Sequence, residues 1–299
     1  MTFEVQTWGG IGDILREISL LPVSWLHRRF GIRAAIRHSP QHADQFHPAA
    51  SCPSAKFVED IVRRLPACVW CGEGVSPRAS KALSRLFRRA MEVLPSMNRL
   101  YSPGVQWKAE DQLPFPLVHG GFHIVIQTHL EGLPCKKWPV DHWRYVLREI
   151  QTLVPHAYLH VLDPAGGSLT NDRILVHDQL SFPQALRLVS AASFVVSVDS
   201  WTKYVAGWHD IPQLVIIPDQ TSDYPQLTAE SVWRHSFRGL RDPSTLWLCG
   251  LAPRADGGAI YTGGRMETFA PELVFQEARK ALFSVSRKSE TTVLKERTH

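Results

Sequence analysis

The stretch IVIQTHLEGLPCKKWPVDHWRYVL, Ile124 to Leu147, decides the fold class. Ile124 to Gln127 is a short apolar run, the mark of a buried parallel strand. Thr128 to Lys137 is polar, punctuated by glycine and proline, and ends in two lysines, which reads as a loop. Trp138-Pro139 then opens a helix whose apolar residues Trp143, Val146, Leu147 and Ile150 fall at i, i+3, i+4 and i+7. Proline suits a first helical turn, where its missing N–H leaves no bond unmade. Strand, loop and helix in this order put two ammonium groups at the C-terminal end of a strand and just before a helix N-terminus. Ligands of open α/β sheets bind at that edge, and the helix end favours an anion. The two lysines, Lys136 and Lys137, are therefore candidate anion contacts; a solvated lysine pair beside a core tryptophan is the plainer alternative.

Working outward, the 299 residues suggest about two domains. The composition, 44% hydrophobic and 20% charged, supports sizeable cores, and no apolar run is long enough to span a bilayer. The formal net charge of +5 is a mild basic excess that fits a phosphate-bearing ligand or an anionic membrane surface. It does not suggest nucleic acid, whose best candidate stripe, Arg78 to Arg89, interleaves its bases with Leu83, Leu86 and Phe87 like an exposed helix face. The first ten residues, MTFEVQTWGG, lack a basic segment followed by an apolar one, so no secretory signal is read and a cytoplasmic setting is expected. The five cysteines include Cys68 and Cys71 at CxxC spacing. A zinc site would need a second ligand pair and a redox pair a helix after the first cysteine; structural thiols fit better.

Strand and helix patterns alternate on both sides of the opening stretch. Residues 3–7 read as a strand, followed by the glycine-rich turn WGGIG, then Asp13 and a helix from Ile14 to about Leu21. A helical pattern resumes through Trp25 to Arg29. Strands are expected at Ile32 to Ile36 and Ala67 to Cys71, with helices at Val58 to Leu65 and Lys81 to Leu94. The turn lacks the complete GxGxxG fingerprint, because Leu15 stands at its last glycine position. It still brings Asp13 to the C-terminal edge of the first strand, either as a helix N-cap or as a base. Ser102 to Gly121, rich in proline and glycine, reads as the linker. Beyond it come a strand at Ala157 to Asp163, the loop PAGGS, and a capping-box helix from Ser181 carrying Ala185, Leu188 and Val189. A strand at Phe194 to Val198, a helix at Trp201 to Trp208, strands at Gln213 to Ile217 and Leu246 to Cys249, and a helix at Pro271 to Phe283 complete the series. The alternation predicts parallel sheets wrapped by helices. The expected division is residues 1–118, a first domain; 119–285, a second domain; and 286–299, a loose tail.

Three separated motifs, GGIGDILREISLLP (Gly9 to Pro22), KKWPVDHW (Lys136 to Trp143) and LSFPQALRLVSAASFVVSVDS (Leu180 to Ser200), resemble one family. It is the ADP-heptose:lipopolysaccharide heptosyltransferases of glycosyltransferase family 9, which implies α/β GT-B architecture, two Rossmann-like domains facing a cleft. The resemblance implies that Asp13 is the general base and that Lys136 contacts the donor phosphates. It implies donor contacts at Asp199 and Ser200, an apolar contact to the donor base at Leu180, and contacts at Gly12, Thr128 and Tyr204. It implies no metal and no cofactor beyond a nucleotide-sugar co-substrate, most simply ADP-heptose. The partners it implies are that donor, bound by residues 119–285, and a glycan, protein or small-molecule acceptor on the side of residues 1–118. Leu20 to Phe30, with its Arg28-Arg29 end, is a candidate for peripheral contact with the inner membrane, with a buried helix as the simpler account. Lys56, Arg63 and Arg64 are candidates for an anionic-acceptor patch, with a solvated helix face as the simpler account.

The sequence also departs from the family. Trp201 stands where the family has glycine and Tyr204 where it has histidine, and Pro218-Asp219-Gln220 replaces Gly-Pro-Thr. Lys203 offers replacement charge or faces solvent. Three readings follow: an inverting, metal-independent transferase; a non-catalytic GT-B-like binding or assembly protein; and a related GT-B enzyme, with another donor or acting as an epimerase.

Overall fold

A computed structural model describes residues 2–7, 10–19, 23–39, 53–74, 103–128, 136–162, 173–221, 225–236, 246–256 and 258–296. Strands β1 (Thr2–Thr7), β2 (Arg33–His38) and β3 (Cys68–Glu73) form a parallel sheet in the order β1-β2-β3. Helices α1 (Ile11–Ser19) and α2 (Val23–Phe30) connect the first two strands, and α3 (Ala55–Val62) leads into the third. The expected helix at Lys81 to Leu94 lies outside the described residues. So do the loop PAGGS and the basic stretch Arg78 to Arg89.

The second half is a six-stranded sheet, parallel at every pairing. Its strands are β4 (His123–Gln127), β5 (Tyr158–Leu162), β6 (Ile174–His177), β7 (Phe194–Val198), β8 (Gln213–Ile216) and β9 (Leu246–Cys249), in the order β6-β5-β4-β7-β8-β9. That is doubly wound Rossmann topology, with the strand order reversing between β4 and β7. A small antiparallel pair, β10 (Leu251–Pro253) and β11 (Ala259–Tyr261), follows. Helices α4 (Val140–Leu153), α5 (Phe182–Ser190), α6 (Thr202–Trp208), α7 (Ala229–Ser236) and α8 (Pro271–Glu296) complete it.

Strand alternation sorts the core. Ile124, Ile126, Leu159, Val161 and Val196 face α4 and α8, where Trp143, Val146, Val274 and Ala278 are buried. Val125, Leu162 and Val195 face the other way, onto α5 and α6. α5 starts with the expected capping box: the Ser181 hydroxyl accepts from the Gln184 N–H at 3.4 Å, and the Gln184 side chain accepts from the Ser181 N–H at 2.9 Å.

α8 runs as helix to Glu296, into the stretch expected as a loose tail, and no glycine or proline after Pro271 interrupts it. Of the candidate patch residues Lys56, Arg63 and Arg64, the two arginines are engaged within the protein. Arg64 is buried and grips Asp111 of the linker through Nε at 3.0 Å and Nη2 at 2.7 Å, and Arg63 pairs with Glu59 at 2.6 Å. Arg64 therefore ties α3 to the linker and presents no free charge. Cys68 is a buried thiol raised to about 12 by desolvation, while Cys71 is exposed, and both are free. No helix among the described residues is long and apolar enough to cross a membrane.

Candidate functional site

The reversal between β4 and β7 opens the crevice that Rossmann folds use for ligands, and the polar residues gather there. Gln127 ends β4, and its side-chain oxygen accepts a 2.6 Å hydrogen bond from the Ser200 hydroxyl, just past β7. Ser200 also lies 2.9 Å from the Thr202 hydroxyl and accepts from the Thr202 N–H at 3.4 Å, which seats the start of α6. Lys136 reaches across the same junction. Its ammonium donates to Asp199 Oδ2 at 2.8 Å and to the Asp199 carbonyl at 3.2 Å. Lys203, the second residue of α6 and 1% exposed, donates to the other carboxylate oxygen. Burial alone would raise the Asp199 carboxyl; the two ammonium groups outweigh it and hold the group well below the usual carboxylate range. Burial pulls Lys203 below its ordinary value, with Asp199 opposing.

The facing wall is α1. Asp13 is its third residue, not its cap, and its Oδ2 accepts the Gly10 N–H at 3.1 Å, half of a capping box. Arg16 lies buried between Asp13 at 3.5 Å and Glu17 at 2.9 Å. Gly12 is where α1 and α6 touch: a Cβ there would stand 3.6 Å from the Trp201 amide nitrogen and 3.7 Å from Tyr204 Cε2. The Tyr204 phenol is raised chiefly by burial; Arg16 and Lys136 oppose the shift, while Asp199 and Asp13 add to it. An acid from the first half and an ammonium from the second thus act on one buried point.

That point is filled by protein. Tyr204 is buried, and the Lys203 ammonium lies 4.7 Å from the centre of its ring. Trp201 packs edge-on to Phe182 at 4.9 Å, and Phe182 meets Phe57 of α3 at 5.2 Å, an aromatic chain linking the two halves. One apolar core runs from Val5, Ile14 and Ile36 through Leu188, Val205 and Trp208. Leu180, expected against a donor base, packs on that core. Thr128 is buried at the end of β4. The structure therefore brings together Gly12, Asp13, Lys136, Asp199, Ser200 and Tyr204, with α1 shut against α6. The contributions of Arg16 and Glu17 were not anticipated. Their signal was a charged pair between the apolar residues Leu15 and Ile18. Lys203 is not solvent-facing: three cations, Arg16, Lys136 and Lys203, meet three carboxylates, Asp13, Glu17 and Asp199.

No protein-family model matches the chain. No curated protein matches it in sequence. Among solved structures it is similar to the E. coli ADP-heptose LPS heptosyltransferase II, with a TM-score of 0.57 and 14% identity over 95% of this chain and 99% of that one. It is similar to the glycosyl transferase family 9 from Veillonella parvula DSM 2008, with a TM-score of 0.52 and 10% identity over 94% of this chain and 97% of that one. The E. coli heptosyltransferase WaaC with ADP aligns with a TM-score of 0.50 and 13% identity over 96% of this chain and 100% of that one. Across nearly its whole length, the chain has the two-part Rossmann-like GT-B fold of these heptosyltransferases.

Proposed function

We propose that the chain is an inverting, metal-independent glycosyltransferase of the cytoplasm, taking a nucleotide-activated sugar, most simply ADP-heptose, to an acceptor hydroxyl. The observation that carries this reading is the packing of α1, which holds Asp13, through Gly12 onto Trp201 and Tyr204, beside the Lys136–Asp199–Lys203 cluster at the strand-order reversal. In the reaction, Asp13 takes the acceptor's hydroxyl proton as its oxygen attacks the anomeric carbon. The bond from that carbon to the diphosphate breaks, and the charge gained by the leaving nucleotide is met by Lys136 and Lys203. Three cations and three carboxylates already pair here, so a donor diphosphate takes the place of the Asp199 carboxylate between the lysines. Entry therefore requires α1 and α6 to part, and reclosure assembles the site around the donor.

A second reading, a non-catalytic GT-B-like binding protein, is favoured by one observation: Trp201 and Tyr204 fill the space beside Gly12. ADP release from a panel of ADP-sugars, ADP-heptose included, separates the two. The transferase reading expects turnover that falls ~10²–10⁴-fold in Asp13→Asn. Tight ADP-sugar binding without turnover, or full turnover in Asp13→Asn, would favour the second reading or remove the base.

A further inference from the structure

β3 leaves regular register near its end. Ile36 stands opposite Trp70 and His38 opposite Glu73, so Arg37 of β2 faces both Cys71 and Gly72 of β3. This is a β-bulge, and Gly72 carries it at φ 96°. In a regular strand Trp70 and Glu73 would point to opposite faces. The bulge brings both onto the face of Ile36, the face that α3 covers with Val58 and Val62. The strand end is held in place. Arg37 Nη1 donates to the Glu73 carbonyl at 3.2 Å, the Gly74 N–H to the His38 carbonyl at 3.0 Å, and Gln6 Nε2 to the Gly74 carbonyl at 3.1 Å.

An open cavity of about 590 Å³ lies between this face and α3. α3 lines it with Lys56, Glu59, Asp60 and Arg63, which fall at i, i+3, i+4 and i+7, and β3 with Trp70 and Glu73. Part of this charge is already matched: Arg63 holds Glu59 at 2.6 Å, and Arg64 pairs with Asp60. Lys56 and Glu73 are exposed, and among the described residues no ion pair takes up either. His38, opposite Glu73, is pulled below its ordinary value by burial and stays neutral. Trp70 is half-buried and forms the apolar part of the wall.

We propose that this cavity binds a zwitterion with an apolar body, the size of an aromatic amino acid or a dipeptide. Its carboxylate meets Lys56, its ammonium meets Glu73, and its apolar part lies on the Trp70 indole. The two free charges set the selection: an anion alone would face Glu73 unpaired, and a cation alone would face Lys56. The volume is that of a small-molecule pocket. None of the lining residues belongs to the Lys136–Asp199–Lys203 cluster, so the site stands apart from the transfer reading.

The test is a ligand-observed NMR titration of the full chain with L-phenylalanine and with phenylalanylglycine. Phenethylamine, which lacks the carboxylate, and hydrocinnamate, which lacks the ammonium, are the controls. At least one zwitterion should bind, and each control should bind about three- to tenfold more weakly than it. Glu73→Gln and Lys56→Met should each weaken the zwitterion by a similar factor. Both positions are exposed, so an unchanged thermal melt shows that these variants fold. No binding by either zwitterion overturns the proposal. So does a control that binds as tightly, which would mark a plain cation or anion site, and so does full affinity in both variants. ADP binding, titrated separately, bears on the transfer reading alone.

Discussion

Asp199 holds two ammonium groups at once, Lys136 on one oxygen and Lys203 on the other. Removing it takes away the carboxylate that two buried cations share, so Asp199→Ala should cost about 3–5 kcal/mol in urea unfolding. The folded-state pKa of Asp199 is depressed below its ordinary 3.8, so its stabilisation is present above that value and lost as pH falls below it. Gly250 offers a second test. Its φ is 91°, and a Cβ there would run into the Ile217 carbonyl and stand 2.9 Å from Phe269 Cε2. Gly250→Ala should therefore destabilise the fold by about 1–3 kcal/mol, read as a lower melting temperature. At this scale the sequence was informative about Asp13, Lys136 and Asp199, which sit at predictable strand and helix ends. It was silent on Arg16, Glu17 and the burial of Lys203, because one chain read in order does not say which helix face meets another helix.

A chain of three histidines crosses strands β4, β5 and β6. His123 Nδ1 lies 2.9 Å from His160 Nε2, and His160 Nδ1 lies 3.0 Å from His177 Nε2. His123 Nε2 is 3.0 Å from the Val118 carbonyl, which can only accept. With neutral rings each tautomer follows: every Nε2 carries the proton and donates to the next acceptor. Phe115 of the linker stacks on His177 at 4.5 Å and on His160 at 5.9 Å, closing the chain from above. Burial lowers His160 to about 3, with His177 and His123 adding, and lowers His177 to about 4. Both folded values lie below the ordinary 6.5, so stability is full above pH 6.5 and falls as the pH drops toward 4. The loss should approach about 1.4 kcal/mol per pH unit for each group. Melting temperatures measured between neutral and mildly acid pH should fall steeply, and less so in a His160→Leu, His177→Leu double variant. Most elements were legible from apolar period and capping residues, as with α5 and its box. β6 was missed because Ile-Leu-Val-His is too short to show a period, and the length of α8 because polar composition was taken for disorder.

Parallel sheets wrapped by helices were readable from alternation alone; the strand order was not. Nor was the packing of α1 on α6, since each looks like an ordinary amphipathic helix until Gly12 brings their backbones together. Closure makes a further expectation at this scale: Trp201→Gly, which removes the ring packed against Phe182, should loosen the halves and raise ADP affinity, measured by equilibrium dialysis. The central claim is that the lysine at this junction meets a nucleotide diphosphate. Calorimetric titration of ADP into the wild-type chain and into Lys136→Ala tests it most directly. The wild type should bind, and the variant should lose about ten- to a hundredfold in affinity, the worth of one charged hydrogen bond. Equal affinity in the two proteins, or no ADP binding by the wild type, would contradict it.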